Sequence, residues 1–124
     1  MRHTLRISLA TAAITVTALS LVGCSATSAA QVQGTWGTAN TTGEPWLIFE
    51  EDGSFNGSDG CNGIFGTYSV SGDTVSLGDM GTTLMFCEGV DTWLSEAASA
   101  RVDGDTLIVR DRAETEIGTL ERAQ

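Results

Sequence analysis

Three cysteines, one histidine, no lysine and sixteen acidic residues bound the chemistry open to this chain. The histidine is His3, so residues 24–124 hold neither His nor Lys. That removes Ser-His-Asp and Cys-His nucleophilic pairs, Schiff-base chemistry and imidazole ligation of a metal from this stretch. Carboxylates remain, and a glycosidase built on them needs two held ~5 to 9.5 Å apart across a cleft. The acids instead fall largely beside turn glycines, as Asp52, Asp73, Asp103 and Asp105 do, where they serve solubility better than proton transfer. Asp52-Gly53-Ser54-Phe55-Asn56-Gly57 matches the first half of a calcium loop, but its twelfth position is Gly63 in place of Glu. Gly57, Gly60, Gly63 and Gly66 recur every third residue without the Gly-Lys-Ser/Thr of a phosphate cradle. The expectation is a non-catalytic protein with no cofactor and no metal centre.

The first six residues carry Arg2 and Arg6, residues 7–23 are apolar, and the run ends Leu21-Val22-Gly23-Cys24. A charged start, an apolar stretch and small residues before a cut are the layout of a secretory signal. The ending resembles the bacterial lipobox. That resemblance implies a signal peptide over 1–23, diacylation of the Cys24 sulfur, and a lipoprotein held on the extracytoplasmic face of the cell membrane. The competing reading is an uncleaved anchor, for which the apolar stretch falls short of the ~20 residues that span a bilayer. Residues 24–33 then form the lipidated cysteine and a small, polar tether, whose last nine residues reach at most ~30 Å.

Beyond residue 23 the chain is one small domain's length. Its four arginines stand against all sixteen acids, a formal balance of −12. Such a surface repels nucleic acid and anionic lipid and favours a basic partner, if any.

With Cys24 assigned to lipid, Cys61 and Cys87 are left in an oxidising compartment. A disulfide between them would contribute ~3.5 kcal/mol by the loop-entropy estimate. Two buried free thiols are the alternative. Zinc is disfavoured because two cysteines without histidine do not close a tetrahedral shell.

From Gly34 the chain reads as short strands punctuated by glycine turns: 34–39, 46–50, 54–57, 64–70, 74–77, 82–86, 101–103, 106–110 and 115–121. Asp52-Gly53 predicts a tight hairpin. Residues 91–100 lack Gly and Pro, place Leu94, Ala97 and Ala98 at helical spacing, and predict a short helix capped by Asp91. The fold class expected is mainly β: a strongly curved antiparallel sheet or small β-barrel with one short helix.

Gly57-Ser58-Asp59-Gly60-Cys61-Asn62-Gly63, then Gly66-Thr67-Tyr68, then Thr83-Leu84-Met85-Phe86-Cys87 resemble the META/HslJ domain family. Gly34-Thr35-Trp36, Pro45-Trp46-Leu47-Ile48-Phe49 and Val102-Asp103-Gly104-Asp105-Thr106-Leu107 fall in the family's order, so the likeness covers 34–122. It implies a small β-rich envelope domain, linked in some members to heat shock or antibiotic tolerance, with no established catalytic residues. The chain departs from the pattern at Leu84, where the family often has Arg or Lys, and at Phe86, where Ala is usual; both changes predict a more buried or stickier segment. Gly60-Cys61-Asn62-Gly63 is expected to bend the sheet, with Asn62 bonding its own backbone.

Alternation turns Trp46 and Ile48 away from Leu47 and Phe49. They either close the barrel mouth or form a contact patch for another envelope protein. The functional expectation is a lipid-anchored, non-catalytic envelope module with a stress-related binding or structural role. The alternative is a proteinaceous inhibitor of an exported basic hydrolase.

Overall fold

The computed structural model describes residues 28–124. The expected signal peptide 1–23 and Cys24 lie outside the described residues. One helical turn, α1 (Ala29–Val32), leads into nine strands: β1 (Gly34–Gly37), β2 (Pro45–Phe49), β3 (Ser54–Asp59), β4 (Gly63–Ser71), β5 (Thr74–Leu77), β6 (Gly81–Thr82), β7 (Ser99–Asp103), β8 (Thr106–Arg110) and β9 (Glu116–Glu121). The sheet runs β1-β2-β3-β4-β5-β7-β8-β9, every neighbour antiparallel, with β6 on the other half of the long β4. Its ends meet where Trp36 bridges Arg122 and the Ala123 N–H donates to the Thr35 carbonyl at 2.9 Å. The result is a nearly closed antiparallel barrel.

Alternation builds the interior. β2 buries Leu47 and Phe49, β3 buries Phe55, Gly57 and Asp59, and β8 buries Leu107 and Val109. With Trp36 and Ile64 these side chains fill the barrel, so it encloses a packed core. The tight curvature of β2 on β3 depends on Gly57, where a Cβ would sit 2.1 Å from the Trp46 carbonyl oxygen. Gly72-Asp73 and Gly104-Asp105 close two-residue hairpins, and both glycines take φ +61°, which the primed turns of such loops require.

The strands define two rims. Residue 33 enters β1 at the first, which also carries the loops 50–53, 72–73 and 104–105. The second carries 38–44, 60–62, 83–98 and 111–115.

Four expectations need correction. Residues 91–100 are not a helix: a 3₁₀ turn covers only Trp93–Glu96, and β7 begins at Ser99. Ala98 donates to the Arg110 carbonyl (2.8 Å) and accepts from the Leu77 N–H (3.0 Å), so sheet bonds on both sides outweigh a helix too short to hold itself. The tether does not extend to residue 33, because α1 is docked and Val32 is fully buried in the core. The strand expected over 82–86 pairs only through Gly81–Thr82. The Asp52-Gly53 hairpin is also one residue longer than a two-residue turn, since Glu50 donates to the Ser54 carbonyl across Glu51, Asp52 and Gly53.

Candidate functional site

At the second rim β3 ends on Asp59 and β4 begins on Gly63. The Asp59 side chain is buried, and its Oδ1 accepts the N–H groups of Cys61 (2.8 Å) and Asn62 (2.6 Å). The Asp59 N–H donates to the Asn62 carbonyl at 3.0 Å, and Gly60 takes φ +98°. The local backbone bonds expected of Asn62 are therefore made by Asp59, and the left-handed position is Gly60. Hydrogen bonding is what makes a buried carboxyl tolerable here.

Asn62, thereby freed, reaches a segment more than twenty residues further along. Its side-chain N–H donates to the Met85 carbonyl at 3.0 Å, and its Oδ1 accepts both the Met85 N–H and the Thr83 hydroxyl. The side-chain amide thus pairs with residue 85 as a neighbouring strand would. Thr83 donates its N–H to the Gly63 carbonyl (3.0 Å), and its hydroxyl accepts from the Gly63 N–H (3.0 Å). Cys87 is bonded to Cys61, with Cα atoms 5.7 Å apart.

Residues 83, 85 and 87 are thus tied inward, and the intervening side chains turn out. Leu84 is 94% and Phe86 92% exposed; Met85 between them is 62% exposed, and Phe65 on β4, paired with Gly81, is 56% exposed. These are the large hydrophobic side chains most exposed among the described residues. A large apolar side chain at full exposure on a fixed backbone is unusual in a small protein, and contiguous patches of this kind mark contact sites.

The first rim is built differently. The Trp36 indole N–H donates to the Val32 carbonyl at 2.8 Å, and the Arg122 guanidinium lies 4.1 Å from the Trp36 ring centroid. Arg122 also donates to the Gln31 carbonyl at 2.6 Å and lies 3.6 Å from Asp105. Cation, aromatic ring and α1 together seal that mouth. Nearby, Asp52 accepts the N–H and hydroxyl of Ser54, and the serine's hydroxyl bond, followed by its backbone bond, holds the Asp52 carboxyl below its usual range.

The expected site residues fall apart in space. Cys61 and Cys87 are joined. Trp46 and Ile48 do face away from Leu47 and Phe49, but both are half-buried on β2, opposite Ser58 and Asn56. Sequence reasoning singled out Leu84 and Phe86 without settling whether they are buried or exposed; Phe65, Asp59 and the reach of Asn62 were missed. The signal for the last was Asn62 lying beside a bridged cysteine, which obliges residues near Cys87 to lie within its reach.

The META domain family matches residues 20–124 of the chain. Neither a curated protein nor a solved structure matches it.

Proposed function

The chain belongs to the META domain family, and from that premise we propose that it is a lipid-anchored envelope module whose stress-related role is binding at its surface, without catalysis. The observation that carries this reading is the filled barrel. Trp36, Leu47, Phe49, Phe55, Ile64, Leu107 and Val109 are each within 2% of complete burial, so the barrel leaves its work to the outer surface. The lack of His and Lys after residue 23 supports the same conclusion. The Leu21-Val22-Gly23-Cys24 run supports attachment through lipid at Cys24, since two or more acyl chains hold a protein stably on a membrane.

Two measurements test the reading. Wild-type protein is expected in the membrane fraction, and Cys24→Ser is expected to be released or to stall uncleaved. A variant cleaved at the same place that still sediments with membranes would remove the anchor from the proposal. Detergent-solubilised protein is expected to be inert toward peptide, ester and glycan panels; a turnover abolished by replacing one carboxylate pair would overturn the non-catalytic role. The second reading, inhibition of an exported basic hydrolase, is favoured by the fixed apolar segment 83–87 on an acidic body.

A further inference from the structure

We infer that residues 83–87 form a preorganised docking segment for a basic protein, with Leu84 and Phe86 inserting into an apolar cleft bordered by lysine or arginine. This rests on the surface-binding reading above and names its surface and partner. Three observations carry it. The backbone is fixed before binding: Asn62 takes both polar groups of Met85, Thr83 is bonded twice to Gly63, and Cys87 is bridged to Cys61. A fixed segment loses little conformational freedom on docking, so burial of its two outward side chains is converted efficiently into affinity.

The second observation is charge. Residues 28–100, which include every residue of the patch and the strands beneath it, hold ten acids and no Lys, Arg or His. Glu88 and Asp91 follow the patch directly in the chain, and both are exposed. Of the four arginines among the described residues, Arg110 and Arg112 come at the second rim, where Glu44, Glu88, Asp91, Glu96, Asp111 and Glu114 outnumber them and leave it net acidic. A second copy of this chain would bring acidic surface against acidic surface, whereas a cationic rim around an apolar cleft complements it. The third is position. Residue 33 enters at the first rim and the patch stands on the second, on the opposite side of β1 to β4 from where the tether arrives. A bilayer holding the chain by its N-terminus therefore lies on the wrong side, and acidic residues repel its anionic lipids besides.

The test places the photocrosslinker p-benzoylphenylalanine at position 86 of the full-length protein, in the membranes of the cells that make it. The expected result is a crosslink to one protein of basic surface. That protein, purified, should bind the wild-type chain and lose about 100-fold in affinity to the pair Leu84→Ser and Phe86→Ser, the loss typical of truncating central anchors. Raising salt from about 50 mM to about 500 mM should weaken the same complex about tenfold. Thermal melting of the serine pair should match wild type, which separates lost contact from lost fold. Crosslinks only to a second copy or to lipid, or wild-type protein that floats with phosphatidylcholine vesicles through Phe86, would overturn the inference. So would no crosslink, or binding indifferent to the serine pair or to salt. The membrane fractionation of Cys24→Ser is read separately, so an anchored chain that fails these tests loses only the docking segment.

Discussion

The two rims of the barrel solve the same problem with opposite materials. At the first rim a polar, charged group is brought onto apolar surface: Arg122 covers Trp36 and ties down the carbonyl of Gln31. At the second, polar groups are spent on the backbone of 83–87 and apolar side chains are left facing water. The first arrangement seals a mouth against solvent. The second fixes a segment while withholding its side chains from the core. Rigidity at a protein surface therefore does not by itself report burial; what matters is whether side chain or backbone is being held.

Removing the anchor of the first rim should have the largest effect. Trp36→Ala empties a fully buried site and is expected to cost about 3 to 5 kcal/mol by chemical denaturation. Loss of under 1 kcal/mol would mean that the indole does not organise this rim.

At the second rim, replacing Cys61 and Cys87 by serine is expected to cost about 3.5 kcal/mol. Limited proteolysis should then cut within 83–87 while 29–33 stays protected. Equal cutting at both ends would show that the rims are not separate. If they are, the Trp36 and cysteine changes should add to within about 0.5 kcal/mol.

The sequence carried the turns of the first rim and the bridge of the second, but not the second rim's wiring. The turns at Gly72 and Gly104 were readable because the requirement there is local: a positive φ between paired strands. The disulfide was readable as a candidate once Cys24 was set aside. The role of Asn62 was not, because its partners lie more than twenty residues on, and its amide takes the place of a strand that never forms. The helix expected over 91–100 failed for a related reason: Ala98 and Ser99 are claimed by β5 and β8, which no local pattern announces. The docked α1 was illegible because Val32 is a single large apolar residue in a run of small and polar ones.

Asn62→Ala should cost about 1 to 3 kcal/mol, the usual penalty for leaving buried polar groups without partners. Asn62→Asp is the sharper test, since it keeps an acceptor for the Met85 N–H but places an oxygen against the Met85 carbonyl. An unchanged melting temperature in both would show that the disulfide alone fixes the segment.

The smallest effect belongs to Asp52 in the loop of the first rim. Its folded pKa lies below the usual value, so its contribution is present above the ordinary carboxyl range and is lost as pH falls through the folded pKa. Asp52→Ala should melt slightly below wild type at neutral pH and together with it in strong acid. A difference that grew on acidification would have the wrong sign.

Pairing of the Asn62 amide with residue 85 has a consequence for how such a barrel diverges. The bonds that fix the segment use main-chain atoms of 83 and 85, the Thr83 hydroxyl and the sulfur of 87, and none uses the side chains at 84 or 86. Those two positions are thus letters that can be rewritten without disturbing the frame that prints them. On the proposed docking role, such a barrel can change what it recognises at two codons while its folding stability stands still.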